Sequence, residues 1–233
     1  MKTKIFLPLF ALFLTLSTLL IYHTRTPQFE PIVPESQTRP ISYFDDAIFL
    51  GDSLIKGFDD SDTYLSEAMV CGYKGMSPDQ VVMKTKMEHH ERGYEVILDI
   101  LAEKQPKKLY ILTGTNNMSA INNEDFFIKY YGMMLDEIKA VLPDNSIIYI
   151  QSLPPVLEGI SKAKPGLSLE RLESVNNRLV ALAKEKGVYY IDLWPVLANE
   201  NKFLKTEFAL EDGIHMNAEG YEVWRDWLLA HTI

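Results

Sequence analysis

Five residues scattered along the chain have the types and the settings that acyl transfer needs. Ser53 lies in Gly51-Asp52-Ser53-Leu54, directly after a short apolar run and at the start of a helical stretch. A hydroxyl at that junction stands at a sheet edge beside backbone N–H groups, which favour developing negative charge. Serine is a weak nucleophile until a base takes its proton, and histidine is the side chain suited to that work near neutrality. Of the five histidines, His23 flanks an apolar N-terminal run and His231 stands two residues from the end. His89 and His90 sit among Glu88, Glu91 and Arg92 on a stretch that reads as solvated and charged, with no spaced partner to complete a metal-ligand set. His215 is left, in Asp212-Gly213-Ile214-His215-Met216-Asn217. Gly213 makes a turn easy there, so Asp212 can reach Nδ1 of His215, fix its tautomer and leave Nε2 for Ser53.

Acyl transfer also needs donors for an oxyanion, and the backbone N–H of Gly75 with the side-chain amide of Asn116 would supply them; Gly72 is a second glycine candidate. Each of these residues has a plainer role when taken singly. Ser53 can cap a helix, Asp212 can make an Asp turn, Gly75 can be a turn residue and Asn116 a loop former. Only the set points to a serine esterase.

To meet, these residues must be carried to one rim. Short apolar runs at Ala47 to Leu50, Ala68 to Cys71, Lys108 to Leu112, Ile147 to Gln151 and Val188 to Ile191 predict five strands buried on both faces. Amphipathic stretches at Pro78 to Met87, Tyr94 to Lys104, Glu124 to Val141, Leu169 to Lys186 and Ala218 to His231 predict the helices between and after them, with Ser77 and Asn217 as caps. That alternation predicts an α/β fold with a parallel sheet covered on both sides, whose ligand site lies beyond the carboxyl ends of the strands. Gly51-Asp52-Ser53, Gly72 to Gly75 and Gly114 to Asn117 all follow strands, so all should share that rim.

The N-terminus is a separate device. Lys2 and Lys4 precede an apolar run from Ile5 to Tyr22, longer than the roughly 7 to 15 residues of a cleaved signal's apolar part and near the lower limit for spanning a bilayer. No small-x-small cleavage site follows it, so residues 1–25 are read as an uncleaved single-pass signal anchor, with secretion after cleavage as the alternative. The charge asymmetry places the N-terminus in the cytoplasm and the remainder outside. Pro27, Pro31, Pro34 and Pro40 make residues 26–42 a proline-rich linker expected to extend as a semi-rigid stalk. Residues 43–233 are expected to form the catalytic domain.

Net charge is −9, and the first 25 residues contribute +3, so the remainder carries −12. An acidic body argues against nucleic-acid partners and against electrostatic docking on lipid. The single cysteine, Cys71, excludes an internal disulfide. Membrane contact is expected through the N-terminal segment only, and oligomeric state is left open.

Taken in order, Gly-Asp-Ser-Leu at Ser53, the glycine at Gly75, the Gly114-Thr115-Asn116 block and Asp212-x-x-His215 resemble the motif blocks of the GDSL/SGNH hydrolase family. The likeness runs from about Ala47 to the C-terminus and includes Ser152-Leu153-Pro154-Pro155, Asn176, Gly220-Tyr221 and Trp224, which look like the acetylhydrolase-type members. It departs from many members in having Asn117 rather than aspartate after Asn116. The α/β-hydrolase signature Gly-x-Ser-x-Gly does not occur at Ser53. The resemblance implies a three-layer α/β/α sandwich of flavodoxin-like type with a five-stranded parallel sheet, Ser53, Asp212 and His215 as catalytic residues, and Ser53, Gly75 and Asn116 as the oxyanion hole. It selects Gly75 over Gly72 because Ser77 follows. No metal and no cofactor are implied.

The expected activity is ester hydrolysis through an acyl-serine, on small acyl groups, above all acetyl, of extracytoplasmic carbohydrate. Transfer of the acyl group to a glycan is the alternative. A lysophospholipase or thioesterase would need an apolar groove, for which Tyr130, Tyr131, Met133 and Met134 are candidates although such residues on a helix more often pack in a core. A glycan-binding domain without catalysis would need none of Ser53, Asn116, Asp212 and His215. Trp224 and Trp227 are expected to pack inward, and Asp59, Asp60 and Asp62 to form a solvated acidic loop.

Overall fold

In a computed structural model, which describes residues 29–60, 64–120 and 123–233 (the backbone only at Asp60), every strand of the main sheet is short and apolar on both faces. Such strands need a layer on each side. The elements in chain order are β1 (Ala47–Gly51), α1 (Ser53–Lys56), β2 (Met69–Gly72), α2 (Pro78–Val82), β3 (Met87–His89), β4 (Gly93–Glu95), α3 (Ile97–Lys104) and β5 (Lys108–Leu112). They continue with α4 (Thr115–Ser119), α5 (Glu124–Val141), β6 (Ile147–Gln151), α6 (Glu158–Ala163), α7 (Leu169–Lys186), β7 (Tyr189–Ile191), α8 (Trp194–Leu197) and α9 (Ala218–Ala230).

The main sheet has the order β2-β1-β5-β6-β7 and every pairing in it is parallel. Alternation along β1 sends Ile48 and Leu50 into one core with α2, α3, α5 and α7, and Phe49 into the other with α1, α8 and α9. The result is the expected three-layer sandwich. The chain leaves β1 toward β2 on one side and returns to β5 on the other, so the crevice of a doubly wound sheet opens where β1 and β5 end. Gly51 must be glycine there, since a Cβ would lie 2.0 Å from the Leu112 carbonyl oxygen.

Two regions differ from the sequence expectation. The stretch read as one helix from Pro78 to Met87 stops at Val82, Lys84 takes a left-handed φ of 53°, and Met87–His89 pairs antiparallel with Gly93–Glu95. Apolar residues at 81, 82, 83 and 87 fit a helix and a strand alike, and the buried, exposed, buried alternation of Met87, Glu88 and His89 decides for the strand. Consequently the helix expected from Tyr94 begins only at Ile97.

The proline-rich segment is not a free stalk where it is described. Ile32 bridges Tyr190, the Val33 N–H donates to the Tyr190 carbonyl at 2.9 Å, and the Tyr190 N–H donates to the Pro31 carbonyl at 2.7 Å. Val33 is buried, and Ser36 and Arg39 bond to the end of α9. Docking of Pro31–Val33 covers the otherwise unpaired edge of β7. Among the described residues no helix is long and apolar enough to cross a membrane, and the run from Ile5 to Tyr22 lies outside them.

Candidate active site

Ser53 opens α1 because Asp52, in extended conformation, caps that helix by accepting the Leu54 N–H at 3.0 Å. The helix is then held from the opposite face, where Tyr221 of α9 donates its hydroxyl to the Leu54 carbonyl at 2.8 Å. The nucleophile candidate therefore stands on a short element fixed at both sides.

The loop before α9 brings the base to it. Asp212 Oδ1 accepts the N–H groups of Ile214 and His215, both at 2.9 Å, in a tight turn that Gly213 makes possible with a φ of 70°. Asp212 Oδ2 lies 2.6 Å from His215 Nδ1, and His215 Nε2 lies 2.8 Å from Ser53 Oγ. Partial burial pushes the Asp212 carboxyl up, but the two backbone N–H groups and the imidazole outweigh it and hold the carboxyl below its ordinary range. An ionised Asp212 accepts from Nδ1–H, which leaves the Nε2 lone pair for the Ser53 hydroxyl proton. Ser53, Asp212 and His215, separated by up to 162 positions, are thus brought into one chain of hydrogen bonds.

Asn116 reaches the same place from the end of β5. It lies in α4, and its Nδ2 donates to Asp52 Oδ2 at 3.3 Å. Gly114 ahead of it has a φ of 135° and no room for a Cβ against Phe127, so only glycine makes this bend. Asn116 is exposed while Asn117 is buried, which directs the Asn116 amide to the rim. Gly75 is the third residue of a turn closed by Met76 N–H to the Tyr73 carbonyl at 3.1 Å, and it has a φ of 75°. A Cβ there would meet nothing within 4 Å, whereas one on Gly72 would lie 2.3 Å from Lys56 Cα. Gly72 is a packing residue and Gly75 faces open space. Thr113 donates to the Met76 carbonyl at 2.8 Å, tying the Gly75 turn to the end of β5.

Asp52, which sequence reasoning passed over, is the hub beneath these groups. It is fully buried, and burial pushes its carboxyl up to about 6 against the lowering effect of the Leu54 and Gly114 N–H groups, the His215 charge and the Asn116 amide. Its cap position immediately before the serine was the signal. Asn176 of α7 pairs with both backbone groups of Leu153, at 2.8 and 2.9 Å, and so fixes the segment after β6. From that segment the Leu157 N–H donates to the Gly213 carbonyl at 2.9 Å, which braces the Asp212 to His215 loop.

The remaining candidates fall elsewhere. Tyr131 and Met134 are in the core while Met133 is exposed, so these α5 residues do not line one groove. Trp224 is fully buried and donates to Gln151 at 2.8 Å, and Trp227 donates to the Asp192 carbonyl at 2.7 Å. His231 packs on Trp227 with ring centroids 3.8 Å apart. His89 is only 1% exposed rather than solvated, and Asp59 lies against it and His90. His23 and Asp62 lie outside the described residues. A cleft of about 650 Å³ between α7 and the end of β7, lined in part by Asn177, Asp192 and Trp194, contains none of the catalytic candidates.

Comparison with known proteins places the pattern. Residues 49–223 match the GDSL-like lipase/acylhydrolase family. Among solved structures the chain is similar to a GDSL-like lipase from Bacteroides thetaiotaomicron VPI-5482, at 19% identity and TM-score 0.62, over 81% of this chain and 88% of that one. The lipase/acylhydrolase from Enterococcus faecalis superposes with TM-score 0.57 at 18% identity, covering 78% of this chain and 92% of the other. An acetyl esterase, solved as a serine mutant with an acetate ion, gives TM-score 0.52 at 14% identity over 77% and 91% of the two chains. At such identities the structural likeness establishes the fold. The search of curated sequences gives no match.

Proposed function

The chain belongs to the GDSL-like lipase/acylhydrolase family and is an esterase-type hydrolase, and from that premise we propose that it removes small acyl groups through an acylated Ser53. The observation that carries the reading is the continuous contact from Ser53 Oγ to His215 Nε2 at 2.8 Å and from His215 Nδ1 to Asp212 Oδ2 at 2.6 Å. His215 Nε2 takes the Ser53 proton as Oγ attacks the ester carbonyl. Asp212 stabilises the imidazolium that forms. The carbonyl oxygen, now anionic, is held by the Ser53 and Gly75 N–H groups and the Asn116 amide. Collapse breaks the bond to the alcohol, which takes the proton from His215. Water, deprotonated in turn by His215, then releases the acid and restores Ser53.

For the substrate, the reading is an acetyl or similarly short ester on a neutral extracytoplasmic carbohydrate. Three observations support it. The body of the chain carries a charge of −12 once the first 25 residues (+3) are set apart from the total of −9, which disfavours anionic surfaces. The α5 residues that would line a long acyl groove are divided between core and surface. One similar solved structure is an acetyl esterase. Lys2, Lys4 and the apolar run that follows support placement outside the cytoplasm, tethered or released.

The test is hydrolysis of nitrophenyl esters from acetyl to octanoyl by the full chain beside Ser53→Ala. Acetyl turnover exceeding octanoyl turnover and abolished in the variant is expected. Equal turnover by both proteins overturns the serine mechanism, and faster octanoyl turnover overturns the short-acyl reading.

A further inference from the structure

Away from the hydrolytic residues, the turn that continues α1, Gly57–Asp60, meets the β3–β4 hairpin through Asp59, His89 and His90. One ligand atom from each, Asp59 Oδ2, His89 Nε2 and His90 Nδ1, lies within 4.8 Å of the other two. We propose that these three residues form a divalent transition-metal site, suited to zinc, that clasps the nucleophile helix to the hairpin.

The two separations from Asp59 are wider than hydrogen bonds and close to those between ligands of one metal ion. Asp59 Oδ2 is 3.8 Å from His89 Nε2 and 3.7 Å from His90 Nδ1. An N–H···O bond brings its atoms to about 2.7 to 3.2 Å. Two ligands bound at about 2.1 Å to one tetrahedral zinc stand about 3.4 Å apart, a few tenths of an ångström inside the observed separations. Burial supplies an independent pointer. His89 is 1% exposed, and its Nε2 and Asp59 Oδ2 are both buried with no hydrogen-bond partner among the described residues. A buried imidazole nitrogen facing a buried carboxylate oxygen across that gap leaves both groups desolvated and too far apart to bond each other, which a shared cation corrects. Two imidazoles and one carboxylate are the donor set that borderline divalent ions prefer over calcium or magnesium.

The surroundings fit. Glu91 Oε1 lies 3.8 Å from His90 Nε2, the nitrogen left over from ligation, where an outer carboxylate orients a metal-bound histidine. Glu91 also offsets Lys56 and Arg92, the cations that act on Asp59. His90 has a side chain 37% exposed and gives the ion its way in. Ligation through His89 Nε2 moves that ring's proton to Nδ1, where the Glu91 and Arg92 N–H groups now point at 3.3 and 3.4 Å. Metal loading therefore also rearranges the turn from His90 to Arg92. The site takes no part in the ester chemistry, but the His89 ring packs edge-on against Tyr73, the residue that opens the Gly75 turn, with centroids 5.9 Å apart.

The experiment is equilibrium dialysis of the chelator-treated full chain against zinc, with cobalt spectra and thermal unfolding as second readouts, on wild type, His90→Ala and Asp59→Asn. Expected are one equivalent bound, a tetrahedral cobalt band, a raised Tm on loading, and affinity lowered about 10-fold or more in each variant. His90 is at the surface, so its variant folds and keeps the test valid. Binding below about 0.2 equivalents at tenfold excess zinc, or unchanged binding in both variants, overturns the proposal.

Discussion

Replacing Asp52 by asparagine should make the protein more stable and less active at the same time. The wild-type carboxyl is fully buried and held at about 6, against an ordinary value of 3.8. Since the folded state binds the proton more tightly than the unfolded chain, this group's stabilising contribution is complete below pH 3.8 and is lost as pH rises through 6. At pH 7.5 the buried charge then costs about 3 kcal/mol relative to a neutral group. The amide in Asp52→Asn is neutral and keeps an oxygen for the Leu54 N–H, but its NH₂ then faces the Asn116 Nδ2, donor against donor. Losing the Asn116 bond returns about 1 kcal/mol, leaving a net gain of about 2 kcal/mol at pH 7.5 and a net loss of about 1 kcal/mol below pH 4. Asn116, no longer held, should lower kcat for acetyl ester about 10- to 100-fold. Urea unfolding of both proteins from pH 4 to 8 isolates Asp52 in the difference between them. A variant less stable than wild type across the whole range would refute the reasoning, because it would mean the carboxylate is stabilised where it lies.

Three further substitutions follow from the geometry. Asp212→Asn leaves no acceptor charge for His215 Nδ1, so kcat should fall about 10²- to 10⁴-fold while KM changes little, read from steady-state kinetics. Gly75→Ala meets no steric obstacle but forces a side chain to adopt a φ of 75°; it should cost about 1 kcal/mol in thermal unfolding and lower kcat more than KM. Asn176→Leu strips the buried Leu153 N–H of its acceptor and leaves the Leu153 carbonyl only the Trp194 indole N–H, and a loss of about 1 to 3 kcal/mol is expected in denaturant unfolding, with activity reduced through the loosened Gly213 contact.

Of the fold, the part made by strongly periodic segments was legible in the sequence. Lys108–Leu112, Ile147–Gln151, Glu124–Val141 and Leu169–Lys186 have the bounds that apolar spacing and capping residues predict, because a strand buried on both faces and a long amphipathic helix each leave one pattern. The β3–β4 hairpin was not legible, since three-residue strands carry too few positions for a period and Val81, Val82 and Met83 suit a helix as well. Nor was the docking of Pro31–Val33 on β7, which depends on an edge that exists only once the sheet is assembled.

For the site, residue type and order in the chain put forward Ser53, Asn116, Asp212 and His215, because each chemical role admits few side chains and each motif follows a strand or precedes a helix, while the family resemblance put forward Gly75 over Gly72. Tertiary structure decided which of them meet. The 2.8 Å contact across 162 positions, the crowding of Gly72 by α1, and the buried charge at Asp52 all arise from packing between elements remote in sequence. The same holds for Asp59 and His89, a loop acid and a charged-stretch histidine in the sequence, which packing brings face to face as buried groups. Sequence carries what a residue can do chemically, whereas desolvation and distance are properties of the assembled fold.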